Sequence, residues 1–176
     1  MGIGVIVCGY IEWPGYAGSP AGKRIYRANR RAILSLPASD PDWPFITRDM
    51  FSALPLRATR DRRIAQYENH VIHFAGDYKN MYRLEADWVR KFEALLGRLC
   101  WYNAVATLDF CSYRYEWIVP FDHIDDRYYS DTPRPPTEWS FQCYHIDCQP
   151  IPTDEAIDGP LDSLHHTPWR EPGSPS

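Results

Sequence analysis

The chain has 176 residues, of which 44% are hydrophobic, 15% aromatic and 24% charged, with a formal net charge of −4. That allows one domain with a real core and excludes both a charge-rich disordered polymer and two full-sized domains. The charge is divided along the chain: residues 1–100 hold 15 Lys and Arg against 10 Asp and Glu, a net of +5, while residues 101–176 hold 4 against 13, a net of −9.

The predicted elements begin with residues 3–11, apolar on both parities through Ile3, Val5 and Val7 and through Ile6, Cys8 and Tyr10. That pattern predicts a central strand covered on both faces. After the turn at Trp13, Pro14 and Gly15, Ser19 and Pro20 supply an N-cap and a first-turn proline. Ile25, Ala28, Ala32, Ile33 and Leu36 then recur at helical spacing, predicting a helix over 20–36. Its outer face is basic, with Lys23, Arg24, Arg27, Arg30 and Arg31.

Residues 38–43 form a loop, and residues 50–56 a short strand kept to the sheet edge by Pro55, which cannot donate to a ladder. Arg57, Arg60, Arg62 and Arg63 crowd the next turn. Residues 67–75 alternate, His70, Ile72 and Phe74 against Val71 and His73, and Gly76, Asp77 and Asn80 punctuate the end of that strand. A second helix carries Leu84, Trp88, Phe92, Leu95, Leu96 and Leu99 on one stripe, with Val89 beside it, at steps that face a common core.

Alternation returns at Tyr102, Ala104, Ala106, Leu108 and Phe110. After a turn near Cys111 and Ser112 it resumes at Tyr113, Tyr115, Trp117 and Val119, which predicts a hairpin. The order βαββαβ points to an α+β fold of the ferredoxin-like sandwich type, two helices on one face of a mostly antiparallel sheet. Residues 139–148 alternate once more, Trp139, Phe141 and Cys143 against Ser140, Gln142 and Tyr144, and add a C-terminal strand. A single domain over 1–150 and a flexible Pro-, Asp- and Ser-rich tail over 151–176 complete the organisation.

Five cysteines, Cys8, Cys100, Cys111, Cys143 and Cys148, are odd in number and read as reduced thiols of a cytoplasmic protein. The apolar opening lacks a basic leader and a small-residue cleavage site, and Ile6 stands where myristoylation needs Ser or Thr. No apolar run is long enough for a membrane span. Cys143, His145 and Cys148, with His165 or His166, resemble a zinc set only loosely: on a strand Cys148 falls on the face opposite Cys143 and His145, so no metal is expected. There is no nucleophile elbow, no phosphate loop and no His-Glu-x-x-His, so neither a catalytic residue nor a cofactor is assigned.

The informative segment is residues 121–138, where Asp122, Asp125, Asp126, Asp131 and Glu138 alternate with Tyr128 and Tyr129 before Pro133, Pro135 and Pro136. It is too long for a plain connector, and it has the composition of a recognition surface, rigid aromatic area with carboxylates for charge complementarity. Those seven acidic and tyrosine residues are expected to face a basic protein partner. Bacterial immunity-type inhibitors, which neutralise a toxin or effector by covering its active surface, are the class with this character. The alternative is a small enzyme or a nucleotide- or nucleic-acid-binding domain, with His70 or His73 near Tyr113, Arg114 and Tyr115 in a sheet-face pocket. An overall pI of about 5.8 weighs against nucleic acid.

Overall fold

The structure, a computed structural model, describes residues 4–14, 19–53, 70–79, 81, 84–109, 113–120 and 132–145. Its elements are β1 (Gly4–Trp13), α1 (Pro20–Leu34), a 3-10 turn (Arg48–Met50), β2 (Phe51–Ala53), β3 (His70–Lys79), α2 (Glu85–Leu96), β4 (Asn103–Leu108), β5 (Tyr113–Ile118) and β6 (Ser140–His145). The strands form one sheet in the order β2-β3-β1-β4-β5-β6, each neighbouring pair antiparallel. This is an α+β fold. Each helix joins strands with another strand between them: β3 lies between β1 and β2, and β1 between β3 and β4. Among the described residues no helix is long and apolar enough to cross a membrane.

β1 is central, and its second face is open at the Ile6–Cys8 end, which corrects the expectation from its two apolar parities there, while Val105 beside Tyr10 on that face is buried. Val5, Val7, Ile11 and Trp13 are buried, whereas Ile6 is 50% exposed and Cys8 is also open. The reason is that both helices contribute to a single core on the Val5 side, through Ile25 and Ile33 of α1 and Trp88, Val89, Phe92, Leu95 and Leu96 of α2. The stripe read from sequence in α2 is core throughout the helix.

α1 starts as its sequence dictates: Ser19 is extended, and its hydroxyl accepts the Gly22 N–H at 2.9 Å ahead of a first-turn proline. Asn29 is the buried polar residue of this layer. Its amide donates to Cys100 O at 2.9 Å and accepts from Cys100 N at 2.7 Å, so one side chain satisfies both backbone groups of the residue that links α2 to β4. α1 ends at Leu34, two residues earlier than the sequence pattern predicts, with Ser35 N bonded to Arg31 O.

β3 continues through Gly76 and Asp77 to Lys79, beyond the end predicted at residue 75. Gly76 is a packing device here and not a turn: a Cβ on it would lie 2.7 Å from Met50 Cε and 2.9 Å from the Tyr78 ring. Tyr78 in turn ties three elements together. Its hydroxyl receives the Trp88 Nε1–H at 3.0 Å and donates to Phe45 O at 2.7 Å, and its ring stacks on Phe45 at 4.7 Å. Burial raises that phenol well above its ordinary range. The loop before β2 is fastened to α2 as well, because Lys91 Nζ donates to Asp40 Oδ2 at 2.9 Å and to Asp42 O.

Two substitutions test this packing. Trp88 is fully buried, stacked on Phe92 at 4.9 Å and hydrogen-bonded to Tyr78, so Trp88→Ala should cost about 3–5 kcal/mol in urea denaturation, and a loss under about 1 kcal/mol would contradict its core position. A Cβ at Gly9 would fall 1.9 Å from Val105 O and 2.6 Å from the Phe74 ring. Gly9→Ala must therefore push β1 and β4 apart, and its destabilisation should reach or exceed about 3 kcal/mol, the upper end of ordinary overpacking.

Candidate functional site

Of the residues expected to face a partner, Asp122, Asp125, Asp126, Tyr128, Tyr129 and Asp131 lie outside the described residues, while Glu138 is described and half-buried. The two ends of their segment are both defined. At the leading end, Val119 N donates to Tyr102 O at 2.9 Å and the Val119 side chain is buried. At the trailing end, Pro136 is buried and Trp139 lies against Trp101 with ring centroids 5.6 Å apart. The last residue of β5 faces the first of β6 across the sheet, Ile118 to Ser140, and Ser140 Oγ reaches Ile118 O at 3.3 Å. Both ends of the acidic segment thus leave from one corner of the sheet, where Ile118 is 37% exposed.

That corner is fixed from below by Glu93 of α2. Its Oε1 accepts the Trp117 Nε1–H at 2.8 Å, and Trp139 also hydrogen-bonds to this carboxylate. Burial raises the Glu93 carboxyl in spite of those two donors. A second acid lies at the start of α2. Glu85 Oε1 is buried without a hydrogen-bond partner among the described residues, and burial pushes its carboxyl up to about 7. Cys143 in β6 is pushed up to about 12, first by burial and then by the nearby Glu85 charge. Cys100 is likewise pushed up to about 12 by burial, so neither thiol is poised as a nucleophile. Sequence reading passed over both glutamates. The signal was available, since each sits three or four residues from a core position of α2, Glu85 from Trp88 and Val89, Glu93 from Val89 and Leu96.

The sheet face away from the helices carries Ile6, Cys8, Tyr10, His73, Arg114, Glu116 and Ile118 among its residues. His73 and Arg114 share this face but stand on β3 and β5, three strand steps or roughly 14 Å apart, while Tyr115 is buried on the opposite face. His73 is therefore not brought together with Arg114 and Tyr115 in one sheet-face pocket, and the His70 side chain lies outside those described. Cys143 and His145 share the β6 strand, with Cys148, His165 and His166 outside the described residues, and among the described residues no three His, Cys, Asp or Glu groups are arranged to hold a metal ion. The arginines Arg57, Arg60, Arg62 and Arg63 and the tail over 151–176 also lie outside.

A groove of about 410 Å³ lies at the other edge of the sheet. α1 lines one side with Tyr26, Arg30, Ile33 and Leu34, and the 3-10 turn and β2 line the other with Arg48, Asp49 and Phe51. Leu34 is 49% exposed beside it. The sequence signal for this groove was an apolar Leu34 following Ile33, wider than the buried stripe of α1 requires. No protein-family model, curated protein or solved structure matches this chain.

The unpartnered Glu85 makes stability depend on pH. Its folded-state value near 7 stands above the ordinary carboxyl value of 4.5, so its contribution is complete below about pH 4.5 and is lost as pH rises through about 7. Glu85→Gln should raise the denaturation midpoint at pH 8, by on the order of 1 kcal/mol or more, and leave it unchanged at pH 4.5. Equal effects at both pH values would show that the carboxyl is not held neutral in the fold.

Proposed function

We propose that this chain is a cytoplasmic protein-binding inhibitor of the bacterial immunity type, whose acidic segment docks on a basic toxin or effector and covers its active surface. The observation that carries this reading is the mounting of residues 121–138: both ends are fastened to the rigid sheet, by Val119 on Tyr102 and by Trp139 on Trp101 and Glu93. The segment holds five Asp and Glu against two Arg, a net of −3, and emerges beside the exposed Ile118. An acidic recognition segment held at both ends loses less conformational freedom on docking than one tethered at a single end. Free thiols at Cys8, Cys100 and Cys143 support a reducing compartment. The strand order 2-3-1-4 with two split crossovers supports a ferredoxin-like reading of the first four strands, β5 and β6 being an added pair that carries the acidic segment.

Electrostatic docking of this kind is salt-sensitive and depends on the carboxylates. Tagged full-length chain and its Asp125→Lys/Asp126→Lys variant are to be co-purified from the host at about 50 and about 500 mM salt, with partners identified by mass spectrometry. A basic protein retained at low salt, lost at high salt and lost from the variant is the expected result, with association slowed by about tenfold or more in the variant. A partner set indifferent to both salt and charge reversal would remove the acidic segment from the interface.

A further inference from the structure

We infer that the groove between α1 and β2 is a second docking site, taking an acidic peptide segment of a partner protein that is anchored by one or two large apolar side chains. The groove lies at the sheet edge opposite the corner where the described ends of the acidic segment meet the sheet, since β2 and β6 end the sheet of described strands on opposite sides, five strand steps or on the order of 24 Å apart.

The charges of Lys23, Arg27, Arg30 and Arg31 in α1 are not balanced by carboxylates among the described residues. The helix carries Lys23, Arg24, Arg27, Arg30 and Arg31 and no carboxylate at all. Lys23 with Arg27, and Arg27 with Arg31, are like-charged pairs at i,i+4, each opposing the helix. Lys23 and Arg24 also lie near the positive end of the helix macrodipole, where cations are disfavoured. Among the described residues no carboxylate pairs with Lys23, Arg27, Arg30 or Arg31, and Asp49, the acid that borders the groove, lies 3.8 Å from Arg48. A bound acidic group offsets repulsion that the isolated chain leaves in place.

The groove selects among anions. Tyr26, Leu34 and Phe51 give it an apolar lining between Arg30 and Arg48, and its volume suits one or two large side chains. A phosphate backbone offers nothing to that lining, whereas a peptide with acidic residues around a Leu or Phe satisfies both halves of it. β2 ends the sheet beside the groove, so an extended segment lying there is placed for backbone hydrogen bonding as an added strand.

The test is fluorescence anisotropy on the full chain with three probes: a labelled octapeptide of six acidic residues around a central Leu-Phe pair, the same peptide with Ser-Ser at the centre, and a single-stranded oligonucleotide of equal charge. Saturable micromolar binding of the first probe is expected, weakened at least about tenfold by the Ser-Ser replacement and by Arg30→Ala/Arg48→Ala or Leu34→Ser. Arg114→Glu, on the far face of the sheet, should leave it within about twofold. Thermal melts of each variant establish that the fold is intact, and Arg30→Lys/Arg48→Lys, which keeps both charges, should retain most of the affinity. No saturable binding of the Leu-Phe peptide, or oligonucleotide binding as tight and insensitive to Leu34→Ser, overturns the assignment.

Discussion

The fold rests on one steric constraint: at Gly9, Ala104 and Ala106 the covered face of the sheet must carry little or no side chain. Gly9 of β1 lies between Phe74 and Ala106, and Ile11 faces Ala104 in the next row, so β1 and β4 offer a glycine and two alanines beneath α2. Into that trough come the largest groups of the core. Phe92 sits 4.9 Å from Phe74 and 5.0 Å from Trp117, and Trp88 stacks on Phe92. Small residues on the central strands and large ones on the helix and the flanking strands are the two halves of one packing solution, since interiors fill to crystal-like density. Either half alone fails: a helix of tryptophan and phenylalanine over a sheet of valines would be overpacked, and small central residues under an alanine-rich helix would leave a cavity.

The same rings reach both edges of the sheet. Phe51 of β2 lies 5.7 Å from Phe74, and Trp117 lies 5.2 Å from Phe141 of β6, so a chain of aromatic contacts runs from the groove edge to the corner that carries the acidic segment. Its effect is rigidity. Aromatic pairs add about 0.5–1.5 kcal/mol each beyond the area they bury, and a contiguous series makes the two edges parts of one body.

Much of this was legible in the sequence, because periodicity reports burial directly. The α2 stripe, the N-cap at Ser19, the β4–β5 hairpin and the added β6 strand all follow from spacing and cap chemistry. What failed did so for a physical reason. Ile6 and Cys8 belong to an apolar run but face away from the helices, since a run apolar on both parities does not say whether two layers or one will cover it. Gly76 reads as punctuation in the sequence, although in a strand glycine also serves close packing, here against Met50 and Tyr78. The α1–β2 groove leaves no more than the extra apolar Leu34 as a sequence signal, because it is made by two elements whose approach depends on the loop fastened by Lys91 to Asp40, a contact spanning 51 residues.

The buried carboxyls of α2 explain how the acidic corner is kept in place. Glu93 accepts from both Trp117 and Trp139, so it joins β5, the residue before β6 and the helix in one hydrogen-bonded cluster. Trp117 and Trp139 flank the acidic segment in sequence, and a single acceptor between them fixes the separation of its ends. An apolar residue at 93 would leave the buried Trp117 indole N–H without its acceptor, a loss of about 1–3 kcal/mol. The carboxyl is desolvated at a cost visible in its raised titration, and two donors offset part of that cost. Such a cluster adds little to net stability, because a buried acid rarely outperforms a hydrophobic replacement of both partners. What it supplies is a fixed span between Trp117 of β5 and Trp139 ahead of β6.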